Sequence, residues 1–224
     1  MFTRYAKDVQ DYQTLSLVVM VAILIASVVM FIKLVRRHTT GAERFGKWEW
    51  AVNNRFRTGA LGSVTIDALD EIRNHHLHAR EHYVSRDKLT SIYKLQSIGA
   101  DNVVQTWHVL VRFVESYSTP IALRPVSASG SLVDLMQLQL FPKLSSQTRF
   151  AVCGLRAIDA RQLATGPARA LLPADIGLIR NADALILDFT QRPFDPVEFS
   201  RVYAVAEQIA GVLEGVRQTR PAVA

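Results

Sequence analysis

The chain holds a single cysteine, Cys153, and lacks the short motifs that mark many catalytic sites. It has no C-x-x-C pair, no G-x-x-x-x-G-K-[ST] phosphate loop, no G-x-G-x-x-G turn and no G-x-S-x-G nucleophile elbow. The apolar neighbours of Cys153 predict a buried, unreactive thiol. These absences favour a protein with no catalytic residues and no cofactor over an enzyme.

Formal charge is absent from the 21 residues between Tyr12 and Ile32. Two serines alone interrupt the apolar residues from Leu15 onward, and the run is about 30 Å long as a helix, the thickness of a bilayer core. The run exceeds the apolar region of a cleaved signal peptide, and its exit is large and basic. A buried core helix would show a polar face. We therefore expect a transmembrane helix over residues 12–35.

The number of basic residues differs between the two sides of this run. Two precede it, whereas seven follow it by residue 57, namely Lys33, Arg36, Arg37, Arg44, Lys47, Arg55 and Arg57. The positive-inside rule then predicts an outside N-terminus and a cytoplasmic C-terminal domain, with the bacterial inner membrane as the expected location. The single cysteine agrees, because exported domains of this size often carry disulfides.

The net charge of +6 comes almost entirely from the first 57 residues. That segment holds nine Lys or Arg and four Asp or Glu, whereas the remainder holds seventeen and sixteen. A nucleic-acid-binding domain would carry its basic patch on the folded body, so nucleic acid is not an expected partner. Juxtamembrane charge of this kind favours anionic lipid headgroups.

Aromatic residues follow the apolar run at helical spacing. Phe45, Trp48, Val52 and Phe56 recur every three or four residues, and Trp50 lies between them. Such a helix suits the membrane interface, so the expected interface residues are Arg36, Arg37, Phe45, Lys47, Trp48, Trp50 and Phe56. Packing of these aromatics on the following domain, or a disordered linker, are the alternatives.

The predicted organisation has five segments. They are a short tail (1–11), the transmembrane helix (12–35), a basic aromatic helix or linker (36–60), an α+β domain (61–215) and a flexible tail (216–224). The first part of the domain reads as helices, beginning near Ile66, near Leu89 and at Asp101.

The second part of the domain reads as mixed. Strands are predicted over Ile121–Val126, Met136–Leu140 (or a helix from Ser131) and Phe150–Leu155, followed by a helix over Ile158–Leu172 that is interrupted at Gly166. Two further strands, Ile176–Ile179 and Ala184–Phe189, flank a polar turn. An amphipathic helix then begins at Asp195 and Pro196 and buries Phe199, Val202, Ala206, Ile209 and Leu213.

The segment Ile176–Leu213 resembles the last hairpin and helix of GAF-type sensor domains. The likeness lies in the strand pair, the Pro193-Phe194 step and the helix end Ala206-Glu207-Gln208-Ile209-Ala210. It implies an antiparallel sheet with flanking helices and assigns no ligand-binding residue. The alternative is a parallel α/β sheet, in which a crossover helix joins Phe150–Leu155 to Ala184–Phe189.

The stretch with the most candidate metal-ligating side chains is rich in histidine. On a helix, Glu71, His75, His78 and His82 would share one face and could bind zinc. His78 to His82 also spells H-x-x-E-H, which resembles the inverzincin metallopeptidases, but those enzymes need a further glutamate from elsewhere. A solvated helix face is the preferred interpretation, so no metal site is predicted. Asp188 and Arg156 are likewise interpreted as structural.

Three function classes remain open. The favoured one is a non-catalytic, membrane-anchored adaptor or accessory subunit of an inner-membrane complex, with membrane proteins as partners. The alternatives are a tethered GAF-like sensor of a small molecule and a metal-dependent hydrolase at the membrane. Ala22 and Ala26 form a small-x-x-x-small step that adds a homodimer as an expectation.

Overall fold

The structure is a computed structural model. It describes residues 20–21, 23–25, 27–30, 41–63, 77–98, 103–136, 138–145 and 149–218, and within these ranges the side chains of 63, 98, 115–118 and 215–218 are not described. The chain divides into two units, Met1–Trp48 and Glu49–Ala224.

The described residues between 20 and 30 in the first unit are helical and, apart from Ser27, apolar. Their large side chains are 47–69% exposed, and the Ser27 hydroxyl donates to the Ile23 carbonyl at 2.8 Å. None of the helices in the described ranges is long and apolar enough to span a membrane. Most of the predicted transmembrane segment lies outside the described residues.

An eight-stranded sheet, as far as the chain is described, forms the centre of the second unit, and every pairing in it is antiparallel. The main order is β1-β3-β4-β5-β7-β6, while β2 pairs with β3 and β8 with β5. The strands are β1 (Phe56–Thr58), β2 (Gly62–Ser63), β3 (His78–Ser85), β4 (Thr90–Ile98), β5 (Val104–Pro125), β6 (Gln139–Leu140), β7 (Phe150–Gly154) and β8 (Gly177–Asp188).

Strand β5 organises the sheet because it is 22 residues long. Its first part pairs with β4 and its last part with β7, whereas β8 runs along its other side from Val109 to Leu123. Two register shifts between Phe113 and Ile121 mark an irregular middle. One strand thereby joins the two halves of the sheet.

Helices flank this sheet. They are α2 (Pro142–Ser145), α3 (Ala157–Thr165), α4 (Pro167–Leu171) and α5 (Pro196–Gln218), with a 3₁₀ helix at Leu132–Leu135. A further helix, α1, comprises residues 41–53 and includes the boundary between the two units. The Asp195 carboxylate accepts from the Glu198 backbone N–H at 3.0 Å and caps α5. Phe199, Val202 and Ile209 are fully buried, as the sequence predicts.

Apolar side chains fill both faces of the sheet. One face, with α3, α4 and α5, forms the larger core, which includes Leu110, Leu123, Leu185 and Phe199. The other face carries a smaller core in which Trp107 packs with residues of the 3₁₀ helix, and Trp107 Nε1 donates to the Gly130 carbonyl at 3.0 Å. The sheet is therefore the middle layer of the unit.

The expected antiparallel sheet with flanking helices is confirmed, and the parallel alternative is wrong, because every described pairing is antiparallel. A strand over Phe150–Gly154 and helices on either side of Gly166 also agree with the sequence. Near Met136, only Gln139–Leu140 is a strand, and Leu132–Leu135 is the 3₁₀ helix.

The helices predicted from Leu89 and from Asp101 are wrong, because these segments form β4 and β5. In β5, Trp107 and Val109 enter the smaller core, whereas Leu110 enters the larger one. Because both faces of β5 are buried, apolar residues occupy both odd and even positions along it. The sequence therefore lacks the alternation of apolar and polar residues that marks a half-buried strand.

The hairpin implied by the GAF resemblance is not formed. Residues 177–188 are one strand along β5, and the polar segment around Ala182 is a local irregularity with φ of 47° at that residue. Asn181 is buried, so its polar side chain does not mark a surface turn. The helix that the resemblance includes is present as α5.

Two substitutions in α5 separate core packing from capping. Replacing the fully buried Ile209 by Ala should lower the free energy of unfolding by about 2–5 kcal/mol, because it leaves a cavity in the larger core. Replacing Asp195 by Ala should cost about 1 kcal/mol through the lost cap. Urea denaturation measures both. Equal losses would mean that Ile209 is not packed as described.

Candidate functional site

The histidine run is not one helix. Glu71 and His75 lie outside the described residues, whereas His78 and His82 lie on β3. A register irregularity lies between Ala79 and Glu81, and across it His78 is opposite Gln96 whereas His82 is opposite Tyr93. Gln96 and Tyr93 lie on opposite faces of β4, so the two imidazoles do not share a face as the helix prediction required. Among the described residues, no group of three or more His, Cys, Asp or Glu side chains could hold a metal ion.

His82 packs against the connection between β1 and β2. Its ring stacks on Tyr93 with centroids 4.2 Å apart, and its Nδ1 lies 3.2 Å from the Ala60 carbonyl oxygen. A Cβ added to Gly59 would lie 1.9 Å from Nδ1, so only glycine permits this approach. His82 Nε2 is buried without a hydrogen-bond partner, and burial lowers the pKa of this imidazole.

A row of ionisable side chains crosses three neighbouring strands. Glu81 of β3 is opposite Lys94 of β4, and Lys94 is opposite His108 of β5. Lys94 Nζ lies 3.8 Å from a Glu81 oxygen and 5.8 Å from the centroid of the Phe194 ring. Tyr83 donates to Glu81 at 3.4 Å. We call Glu81, Lys94 and His108 the charged row.

The imidazole at the end of the charged row is held in place. His108 Nδ1 lies 2.8 Å from the Arg192 carbonyl oxygen, which assigns the proton to Nδ1. Its ring contacts Phe189 and Phe194, and burial lowers its pKa. Burial, followed by the Glu81 charge, raises the pKa of Tyr83 to about 12. At neutral pH this tyrosine is therefore a hydrogen-bond donor.

The members of the charged row are paired with one another and with their neighbours. Its carboxylate and ammonium pair with each other, and the ammonium also faces an aromatic ring, so neither is held ready for a proton transfer. Sequence reasoning missed the row because its residues lie far apart along the chain. Only recognition of β4 and β5 as strands, with their register, would have brought them together.

Asp188 has the structural role that the sequence analysis favoured. One of its oxygens accepts from the Ser131 hydroxyl at 2.8 Å and from the Leu132 N–H at 2.7 Å. The other accepts from the N–H and the hydroxyl of Thr190. This buried carboxylate therefore ties the 3₁₀ helix to the end of β8.

Other ionisable groups also have local partners. Arg192 binds both oxygens of Asp175 at 2.7 and 2.8 Å and one oxygen of Glu198 at 2.9 Å, and the Asp175 carboxylate raises its pKa. Arg156 pairs with Asp159 at 2.8 Å. Cys153 is buried in the smaller core, and burial raises the pKa of its thiol.

The predicted membrane-interface residues differ in exposure. Phe45 and Trp48 are 62% and 55% exposed, and their ring centroids lie 5.8 Å apart. Lys47 is buried, while Arg36 and Arg37 lie outside the described residues.

Trp50 and Phe56 belong to the protein core and are not available to a membrane surface. Trp50 packs on Phe199 with centroids 5.1 Å apart, and its Nε1 donates to the Ser200 hydroxyl at 2.7 Å. Phe56 packs on Tyr203, and it lies on β1 because α1 ends at residue 53. For these two aromatics, packing on the domain replaces the interfacial interpretation.

No family model matches the chain, and no curated protein matches its sequence significantly. Among solved structures, the crystal structure of the mycobacterial trehalose monomycolate transport factor A, TtfA, is similar with a TM-score of 0.52. The sequences are 9% identical, and the match covers 75% of this chain and 92% of that one. At this identity the likeness concerns the fold, an antiparallel sheet with flanking helices.

The contact between Gly59 and His82 predicts a strong coupling between the two residues. Gly59→Ala should destabilise the protein by about 1–3 kcal/mol, because the imidazole is held by Tyr93 and cannot move aside freely. In a Gly59→Ala, His82→Ala double variant the loss should be smaller than the sum of the single losses. Chemical denaturation measures the cycle.

Gly46→Ala is the matched control for this cycle. A Cβ at Gly46 meets nothing within 4 Å, and the residue is helical, so alanine there should be neutral or slightly stabilising. Additive losses in the Gly59 and His82 cycle would contradict the contact.

The lowered pKa of His82 predicts a loss of stability in mild acid. The unfolded state binds a proton near pH 6.5 more readily than the folded state, so stability is full above that pH and falls below it. Denaturation between about pH 7.5 and 5.5 should show this fall, and His82→Gln should reduce it. His108 contributes in the same direction and remains in that variant. An unchanged profile would mean that His82 is not desolvated.

Proposed function

We propose that this protein is a single-pass, membrane-anchored adaptor or accessory subunit that acts through a non-catalytic cytoplasmic domain. The observation that carries the proposal is the apolar run Tyr12–Ile32. Its described part is helical, and every large apolar side chain there is about half exposed or more. A helix that is apolar on all sides needs an apolar medium around it.

The polar groups of this helix fit the same medium. The Ser27 hydroxyl is satisfied within the helix by the Ile23 carbonyl, which removes the cost of placing it in hydrocarbon. A bilayer accounts for the length of the run and for the basic residues after it, including Arg36 and Arg37. The exposed Phe45 and Trp48 would then lie at the lipid interface.

A non-catalytic domain is supported by what its ionisable groups do. The buried Asp188 accepts four hydrogen bonds from its own chain, and Arg192 is held by two carboxylates. The charged row is paired internally. These groups form their interactions within the fold itself. We therefore infer that the domain acts through its surface.

The likeness to TtfA adds support of a limited kind. That protein is described as a mycobacterial trehalose monomycolate transport factor, and its fold resembles the domain here. A transport factor without a named catalytic activity agrees with an accessory role.

A tethered sensor of a small molecule is the second candidate. A cavity of about 470 Å³ between β7, α3 and α4 favours it, because ligand sites commonly have this size. The sensor and the adaptor share the anchor and differ in whether a ligand controls the contact with the partner.

The anchor can be tested by placing charge in the apolar run. The full chain should stay in the membrane pellet after an alkaline carbonate wash, and a reporter fused after Ala224 should be active in the cytoplasm. Leu24→Lys with Ile25→Lys should release the chain, because lysine at the centre of a membrane helix costs about 3 kcal/mol.

Leu155→Lys with Ile158→Lys is the matched control, since both residues are exposed on the folded unit. It adds the same charge and should leave the chain in the pellet. The adaptor role also requires that the full chain, extracted in mild detergent, migrate on a native gel in a complex larger than itself. A chain that washes off the membrane, or that migrates alone, would contradict the proposal.

A further inference from the structure

A surface cavity lies where α3 gives way to α4, against the start of β7. Its volume is about 470 Å³. Phe150, Ala164 and Leu172 line it and belong to the larger core, so the packing of the domain fixes this apolar wall. The remaining wall includes Arg149 and Arg169.

The break between the two helices shapes the cavity. Gly166 is extended, with φ of −77° and ψ of 163°, and Pro167 follows it at the first position of α4. A Cβ on Gly166 would lie 2.7 Å from the Gln162 carbonyl oxygen in the last turn of α3, so the sharp exit of the chain from α3 depends on glycine. The break that shapes the cavity is thereby part of the fold.

The charge on this cavity is of one sign. Two arginines line it and no acidic residue does. In the described part of the chain, neither Arg149 nor Arg169 forms an ion pair, although Arg169 Nη1 donates to the Ala164 carbonyl at 3.0 Å. Five described arginines of this unit have acidic partners, namely Arg112, Arg124, Arg156, Arg192 and Arg201, whereas the exposed Arg86 and Arg161 have no ion pair among the described residues.

We propose that this cavity binds a small amphiphilic anion, a phosphate or carboxylate that carries a short apolar chain. Arginine donates two parallel hydrogen bonds to such groups, and the single bond of Arg169 to the backbone orients its guanidinium while leaving other donors. The apolar chain packs on Phe150 and Leu172. The inference does not rest on the membrane anchor.

Titration calorimetry tests the site. The probe is hexyl phosphate, added to the full chain in nanodiscs of neutral phosphatidylcholine, with hexanol and inorganic phosphate as comparisons. Hexyl phosphate should bind saturably and more tightly than either. Replacing Arg149 and Arg169 together by Gln should weaken the binding by about tenfold or more, as expected for lost charge-assisted hydrogen bonds.

Arg86→Gln with Arg161→Gln is the matched control, because both arginines are exposed and neither lines the cavity. It makes the same change of net charge and should leave the affinity unchanged. Ala170→Trp fills the cavity from an exposed position and should abolish binding, so the site remains testable if the Arg149 and Arg169 variant fails to fold. Equal affinity in the two arginine variants, or hexanol binding as tightly as hexyl phosphate, would overturn the proposal.

The source of the anion is decided by native mass spectrometry of the full chain released from nanodiscs that contain anionic lipid. Retention of that lipid by the wild type and the Arg86, Arg161 control, but not by the Arg149, Arg169 variant, identifies a lipid headgroup. Binding of hexyl phosphate without retained lipid identifies a soluble anion. Lipid retained equally by all three chains, together with equal affinity for hexyl phosphate, overturns the site.

Discussion

The fold depends on β5, because this strand forms backbone hydrogen bonds with three neighbouring strands. Its first part pairs with β4, its last part with β7, and β8 runs along its other side. Because both faces of this strand are covered, its apolar residues hold the two cores together through one backbone. The irregular middle near Ser118 lets a 22-residue strand serve both halves of the sheet. Bulges of this kind bend strands and increase their twist.

That same constraint explains which elements the sequence predicts. Helix α5 has a cap, a proline at its first position and one buried stripe, so its local signals and its packing agree. In strands β4 and β5 the local sequence pattern and the packing disagree. Burial on both faces gives these strands apolar residues at irregular spacing, which resembles the pattern of a helix. In β8, the polar residues Asn181 and Asp183 suggested a turn, but pairing along β5 keeps the segment extended. Tertiary pairing, which no local pattern records, decided these cases.

The sites follow the same division. Phe45 and Trp48 are exposed on one helix, and their role at a membrane interface stays a prediction. Trp50 and Phe56 were misplaced because their partners Phe199 and Tyr203 are about 150 residues away. The interruption at Gly166 was also visible in the sequence. That this break leaves a cavity beside Arg149 required the position of β7, which comes from pairing with β5. Charge along the chain could not indicate it either, since the domain as a whole is nearly neutral.

The ionisable groups of the domain can be separated by what satisfies them. Asp188, Arg192 and the charged row are satisfied by groups of the fold itself, so a change in any of them costs stability before it affects a partner. Arg149 and Arg169 differ, because the fold brings two cations to one cavity and supplies no anion there. An anionic ligand at this cavity would supply the partner that the described part of the fold does not, which is why the proposed site is placed there and not at the paired groups.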